Sequence, residues 1–522
     1  MIARATVAVT PASAMAPRAR LLRALEAAFP VDFVPHAAGD PPADGLLVIG
    51  DGAVPDAGVP ALRLGDHDGP APMMRPATDV VLERHAALDR RLHGVTLAGQ
   101  QLGDPLDVDE GELVLGATAA GEASWTRREG PAPLDRVAGP LVVLDDAAPL
   151  RDAIHGPRTL SLIALVSFLR AVAEPGDVVT PPVRAAVLFD DPNLRRPTYG
   201  HIDFAQLVRH ADEHDYHASM AMIPLDRRGA HAATVRLFRA RADRVSLAFH
   251  GNNHEKDELL QPARLDEALV LCAQALRRIG AFEGAEQLPV SRVMTAPHGM
   301  CSPSTARALG ALPYDGLCAI HPLPWREDPP ADRPLAGWHP ATFVEGCAVL
   351  PRVPLDWGPN SIALRAFLGH PIVLYGHHDD VAGGLEPLAE AAARVNRLGD
   401  VTWTSLGAIA ASNHDVHVAR GVAVVRPFAN RLRVTPPAGA SALTTVAPAE
   451  GADDLTGWSV DGSTVLAFGE TLTRADDGPV TVRLHSRWET PAASVSAPRP
   501  RLWPAARRVG TELRDRLAPL RA

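Results

Sequence analysis

The chain is nearly without lysine. Lys256 is the only one, and arginine supplies the rest of the 51 basic residues. That skew, together with abundant Ala, Gly and Pro, reads as coding bias and carries no mechanism. Acidic residues number 61, for a net charge of -10, which excludes a protein whose affinity comes from a basic nucleic-acid face. Cysteine is scarce as well. Cys272, Cys301, Cys318 and Cys347 fit neither a disulfide framework nor a CxxC zinc site, so free and mostly buried thiols are expected. The longest apolar run, 160–169, falls far short of the about 20 residues that cross a bilayer. The N-terminus shows no apolar stretch behind a basic start, so a secretory signal is not expected and a cytoplasmic location is.

What is present suffices for a large folded protein. With 46% hydrophobic and 21% charged residues the composition is globular, and 522 residues predict about three domains. Residues 1–150 alternate short apolar runs (5–9, 45–50, 113–116, 141–144) with an amphipathic helix at 18–29, predicting a small α/β domain. Gly50-Asp51-Gly52 lacks the third glycine of a dinucleotide fingerprint and reads as an ordinary turn. A helix near 160–173 and a Pro/Gly cluster fill a linker, 151–182. From 183 to 412 eight apolar runs (185–189, 217–223, 245–249, 292–295, 316–320, 348–355, 372–375, 401–403) alternate with helical patterns, the signature of a (β/α) barrel. Runs at 416–425, 431–435, 463–468 and 480–484 predict an antiparallel β-sandwich over 413–490, followed by a basic tail, 491–522.

Functional groups of such barrels collect at the C-terminal ends of strands. Five predicted strands end in candidate groups: Asp190-Asp191, His250 with His254, Thr295 through Gly299, Asp356-Trp357, and Gly376-His377-His378-Asp379-Asp380. Adjacent carboxylates, if buried, need a cation or a shared proton. Imidazoles four residues apart can face one metal. Singly, each has an ordinary explanation as a helix-capping loop or a polar rim, and a second pair, His210 and His214, reads as a solvated helix face. In order around one rim, a carboxylate and two imidazoles make a three-ligand site with room for water, the arrangement of a catalytic divalent metal.

This ordered set resembles the polysaccharide deacetylase (NodB-homology) superfamily, carbohydrate esterases with a distorted (β/α) barrel, over 183–412. The family's Thr-Phe-Asp-Asp motif is similar to Leu188-Phe189-Asp190-Asp191, which implies Asp190 as catalytic base and Asp191 as metal ligand. Its His-x-x-x-His motif is similar to His250 through His254 and implies both as ligands. The Arg-x-Pro-Tyr/Phe-Gly motif is kept in part: Thr295 stands where the family has the arginine that steadies the base, and His298 where it has an aromatic. Arg292 and Arg352 are the candidate substitutes. Asp356-Trp357 resembles the Asp-Trp region, and Leu374 through His378 the closing Leu-x-His motif, with His377 and His378 both open as general acid and Asp356 as its orienting carboxylate.

The resemblance implies a divergent, metal-dependent hydrolase that removes an N-acetyl group from a sugar or from a nucleotide- or lipid-linked polysaccharide precursor. Zinc suits the mixed N/O donor set. Tyr199, in a long segment after the first motif, and Pro297, His298 and Trp357 are expected to line the substrate cleft, while Asp203 either shares in it or caps a helix from Phe204. Fold does not fix reaction. The alternatives are a glycoside hydrolase pairing Asp190 with Asp356 or Asp379, a linear-amide hydrolase, and a carbohydrate-binding protein on a degenerate barrel. In the tail, Arg499, Arg501, Arg507, Arg508, Arg514, Arg516 and Arg521 outnumber Glu512 and Asp515, with Trp503, Val509, Leu513 and Leu517 at helical spacing. Pro504, Gly510 and Pro519 favour packing on the acidic body or disorder. Weak contact with an anionic membrane surface is the functional alternative.

Overall fold

The computed structural model describes residues 4–37, 43–50, 58–65, 76–145, 148–173, 178–179, 181–320, 333–474, 478–498 and 502–517. They fall into two units: Met1–Val178 with Pro330–Trp338 and Pro359–Phe367, and Val179–Pro329 with His339–Gly358 and Leu368–Ala522.

In the first unit, apolar runs buried on both faces, such as Gly45–Ile49, form the parallel half of one sheet. Its strand order is Val31–Pro35, Ala5–Thr10, Gly45–Ile49, Ala61–Gly65, Leu134–Pro140, Ala123–Arg128, Glu112–Thr118, Thr78–Leu82, Thr96–Gln100, antiparallel from Leu134–Pro140 onward. The amphipathic helix is Ala19–Ala28. The run 141–144 is not a strand: it is mostly buried but makes no ladder, which belongs instead to Leu134–Pro140. Pattern reading misses that strand because it buries Asp135, whose carboxylate accepts from Trp125 Nε1 and Arg127. Helix Thr159–Ala173 is no linker, since it packs so closely on the sheet that a Cβ at Gly45 would lie 2.8 Å from Val172. Asp51, Gly52 and the segment 174–177 lie outside the described residues.

In the second unit every strand expected between 183 and 412 is present: β1 (Val183–Asp190), β2 (Ala218–Met222), β3 (Val245–His250), β4 (Val290–Thr295), β5 (Gly316–Ala319), β6 (Cys347–Pro351), β7 (Val353–Pro354), β8 (Ile372–Gly376) and β9 (Val401–Trp403). They pair in parallel in the order β6-β5-β4-β3-β2-β1-β8-β7, with β9 alongside the start of β1. Of the expected distorted barrel the structure gives the parallel strands in this order; among the described residues no ladder joins the ends of the path, so a closed barrel is not found. The ends of this parallel path are consecutive pieces of chain separated by Arg352 alone, and Thr342–Val344 adds an antiparallel strand outside β6. The run expected as one strand at 348–355 splits because it leaves β5 and joins β8 in mid-course: Arg352 N donates to Ala319 O, and Leu355 N to Tyr375 O.

The C-terminal strands are not a separate sandwich. Val425, Trp458 and Leu484 share one core with Ala186, Leu188, Ala221, Ala248 and Val373 of the parallel sheet. His414–Ala419, Val422–Pro427, Ala442–Thr445 and Thr471–Thr473 lie in one sheet, and Arg431–Val434, Val480–Ser486 and Leu455–Val460 in another. The pair Val422–Pro427 and Ala442–Thr445 is parallel, against expectation. The apolar run 416–425 is a hairpin, reversed by Arg420 (φ 52°) and Gly421 (φ 76°). Residues 463–468 contribute only a bridge from Leu466 to Trp458. All four cysteines are buried free thiols, and burial pushes Cys318 and Cys347 up to about 12. Among the described residues no helix is long and apolar enough to cross a membrane.

Candidate metal centre and active site

The first motif delivers two carboxylates and sends them apart. Strand β1 is buried from Arg184 to its end and carries Asp190 into the interior. Asp191 follows with φ 77°, a left-handed conformation uncommon for a residue with a Cβ. Asp190 turns to Arg352, whose guanidinium donates to Oδ1 at 2.7 Å and to Ala296 O at 3.0 Å, lying 4.6 Å over the Tyr375 ring. Burial raises the Asp190 pKa, but the charge and hydrogen bond of Arg352, with His250 and His377, hold the carboxyl below its ordinary value. Of the two candidate substitutes for the family's arginine, Arg352 reaches Asp190. Arg292 is bound to Glu283.

Asp191 turns to the imidazoles. Its Oδ1 lies 3.6 Å from His250 Nε2 and 3.2 Å from His254 Nε2, and donor atoms of all three residues lie within 4.8 Å of one another. That oxygen is buried and has no hydrogen-bond partner among the described residues. Such an atom is costly unless a cation or donor meets it. The tautomer of His250 is set from behind. The Thr295 hydroxyl donates to Phe249 O at 2.5 Å and so accepts from His250 Nδ1 at 2.9 Å, leaving Nε2 with a free lone pair toward Asp191. Burial pushes His250 down to about 4 and also lowers His254, against the pull of Asp191, so both are neutral at ordinary pH. An orphaned carboxylate oxygen with two neutral imidazoles fits a divalent cation.

Glu258 builds the loop between the histidines, and motif reading missed it. Its buried carboxylate accepts the backbone N–H groups of Asn252 (2.8 Å), Asn253 (2.7 Å) and His254 (3.0 Å). Gly251, at φ 58°, allows this, since a Cβ there would sit 2.6 Å from Glu258 Oε2. The available signal was an acid four residues beyond a Gly-Asn-Asn-His turn whose N–H groups point one way.

The tandem histidines separate. His377 is exposed, and Asp190 senses its charge. Its ring accepts the backbone N–H of Asp380, and the Asp380 carboxylate accepts the His377 N–H at 2.7 Å, a reciprocal cap. His378 is buried against Tyr199 and His201, with ring centroids 5.6 Å away in both cases, and over Gly200, where a Cβ would come within 2.3 Å. His201, His378 and Asp379 form a second group of close donor atoms.

Several expectations are corrected. Asp356 is exposed and makes no hydrogen bond to either histidine among the described residues; the ring of His377 meets the backbone N–H of Asp380, whose carboxylate accepts from the His377 backbone N–H. Tyr199 and Pro297 are buried and do not line an open cleft, while Trp357 is half-buried. Tyr199 lies instead under a C-terminal helix, Leu502–Leu517, its hydroxyl 3.4 Å from Arg508. His298 does stand at the cluster, 5.6 Å from the His254 ring and partly exposed. Asp203 caps helix Phe204–His214, accepting from Gln206 N at 2.8 Å. His210 and His214 pack on each other there, half-buried and not fully solvated as expected.

No family model matches the chain, and no curated protein matches it. Among solved structures it is similar to the carbohydrate deacetylase Agd3, at 11% identity over 92% of this chain and 98% of that one, with a TM-score of 0.47. It is also similar to a putative polysaccharide deacetylase from Mycobacterium smegmatis, at 17% identity over 44% and 94% with a TM-score of 0.29. A CE4-family pseudoenzyme from Bacillus anthracis aligns at 9% identity over 43% and 65%, with a TM-score of 0.27. The likeness is to carbohydrate deacetylases and is distant.

Proposed function

We propose that this protein is a metal-dependent hydrolase that removes an N-acetyl group from an amino sugar. The observation that carries the reading is the division between adjacent carboxylates: Asp190 is locked on Arg352, and Asp191 offers an unpartnered oxygen beside two neutral imidazoles. Asp191, His250 and His254 would hold a divalent metal, zinc suiting the donors, and when bound it supplies Lewis acidity toward a carbonyl and toward water. Asp190, kept ionised and outside the ligand set by Arg352, accepts a proton from the water that attacks the acetyl carbon. As the C–N bond breaks, the amine nitrogen takes a proton from His377. For that step the ring must carry a proton on both nitrogens, so it leaves the Asp380 N–H that it accepts in the neutral form, gives one proton to the amine and remains a neutral imidazole. Glycoside cleavage fits less well, because it needs a carboxylic acid with a raised pKa and Asp190 is held low.

Purified protein should bind one divalent metal per chain and release acetate from N-acetylated sugar oligomers. His250→Ala with His254→Ala removes the metal; unchanged stoichiometry by elemental analysis overturns the assignment. Between the tandem histidines, His377→Ala lowers kcat by about 10²-fold. His378→Ala, which opens a gap under Tyr199, acts mainly on stability. Near-wild-type turnover in both variants rejects a histidine acid.

A further inference from the structure

Two of the three candidate ligands stand on left-handed backbone, Asp191 at φ 77° and His254 at φ 58°. Residues with a Cβ adopt that region uncommonly, and it persists where neighbours over-determine it. The sheet and loop around them supply half of the hold: Asp191 N donates to Ala221 O at 3.1 Å, and His254 N to Glu258 Oε2 at 3.0 Å. The carbonyls of the same two residues are met by adjacent arginines of helix Leu502–Leu517. Arg508 donates to Asp191 O at 3.0 Å, and Arg507 donates to His254 O.

The helix is fastened beside those contacts. Arg508 Nε donates to Asp226 Oδ2 at 2.7 Å, Arg195 lies 3.3 Å from Asp226 Oδ1, and Arg195 also pairs with Glu512, one turn beyond Arg508. This run of charges begins and ends on the helix, and Arg508, Asp226 and Glu512 are all buried. Buried charges persist where they are paired, and a one-turn shift of the helix would break both pairs. Trp503, Val509 and Leu513 are exposed, so the helix is seated on the body of the protein by its polar side. The side chains of Asp515, Arg516 and Leu517, and all of Arg499, Arg501, Pro519 and Arg521, lie outside the described residues.

We infer that Arg507 and Arg508 are positioning residues of the metal centre, which hold, through the carbonyls of His254 and Asp191, the left-handed backbone that brings the two side chains together. The inference rests on the hydrolase reading and extends it, because it makes a helix far outside 183–412 a working part of the centre. The third ligand has its own outer partner in Thr295. Partners of this kind are commonly worth about 10–100-fold in metal affinity. Charge acts in the opposite direction, since a guanidinium near a cation opposes its binding. A variant that merely lost positive charge would therefore bind metal more tightly, and one that lost positioning would bind it more weakly. Coupling is reciprocal: if the docked helix favours bound metal, bound metal favours the docked helix.

The test measures the zinc dissociation constant of full-length protein by competition with a chromophoric chelator, and amide hydrogen exchange in 502–517 with and without zinc. Arg507→Met removes the donor to His254 O. Arg508→Lys keeps the charge beside Asp226 but lacks the planar fork that reaches Asp226 and Asp191 O together. Each should weaken zinc binding by about ten-fold or more, with the circular dichroism of the metal-free protein unchanged. Arg507→Lys retains a donor and should recover most of the loss. In the wild-type chain zinc should slow exchange in the helix by about ten-fold; this arm needs no variant, so it decides even where a variant fails to fold. Wild-type affinity in both Arg507→Met and Arg508→Lys, tighter binding in Arg507→Met, or exchange that zinc leaves unchanged overturns the inference while the metal site stands. A wild-type chain that binds no zinc overturns the hydrolase reading, and the inference with it.

Discussion

Asp190→Asn should lower turnover by about 10²-fold or more while leaving one metal bound per chain. Asparagine preserves the acceptor oxygen that Arg352 grips, so the geometry behind the 2.7 Å contact survives. What it removes is the capacity to take a proton from water and the charge that balances buried Arg352, so stability should fall as well as turnover. The metal should stay, because the donor atoms that come together belong to Asp191, His250 and His254. Elemental analysis and acetate-release kinetics on one preparation decide the matter. Metal loss in this variant would exchange the roles of the two carboxylates, and unchanged turnover would remove Asp190 from the chemistry.

Much of this site could be read from the sequence because its parts are local. Asp190-Asp191 and His250 with His254 lie within one turn of a strand end, and parallel strands buried on both faces announce themselves as apolar runs. What could not be read depends on long-range geometry. Arg352 meets Asp190 across 162 positions, and nothing in the local pattern chooses it over Arg292, which finds Glu283 first. Thr295, read as a lost arginine, fixes the His250 tautomer, a role visible only when β3 and β4 are set side by side. The split of 348–355 into β6 and β7 follows from which neighbours the chain meets, and its composition is the same either way. The helical spacing of Trp503, Val509 and Leu513 was evident, but not their direction, which is fixed by Asp226 and Arg195 holding Arg508 and Glu512.

The other large effect is expected at Arg352. Asp190 and Arg352 are both nearly inaccessible, at 3% and 1%, and removing one partner of a buried pair leaves the other as an uncompensated charge, at about 3–5 kcal/mol. Arg352→Met should therefore lose about that much stability and most activity, and Arg352→Lys should recover only part, having no planar fork to reach Asp190 and Ala296 together. The pH dependence gives the sign. In the wild-type chain the folded Asp190 pKa is depressed below its unfolded value, so the pair's contribution is full above about pH 4 and fades as pH falls through the folded pKa. In Arg352→Met burial acts unopposed by the guanidinium, the folded pKa rises, and the variant should regain ground on the wild type as the carboxyl protonates. Denaturant unfolding of metal-free protein between neutral and acid pH measures this, and a deficit that does not narrow toward acid would place the loss in packing. Adding Asp190→Asn to Arg352→Met tests the cause directly: an amide has no charge to bury, so the double variant should be more stable than Arg352→Met alone.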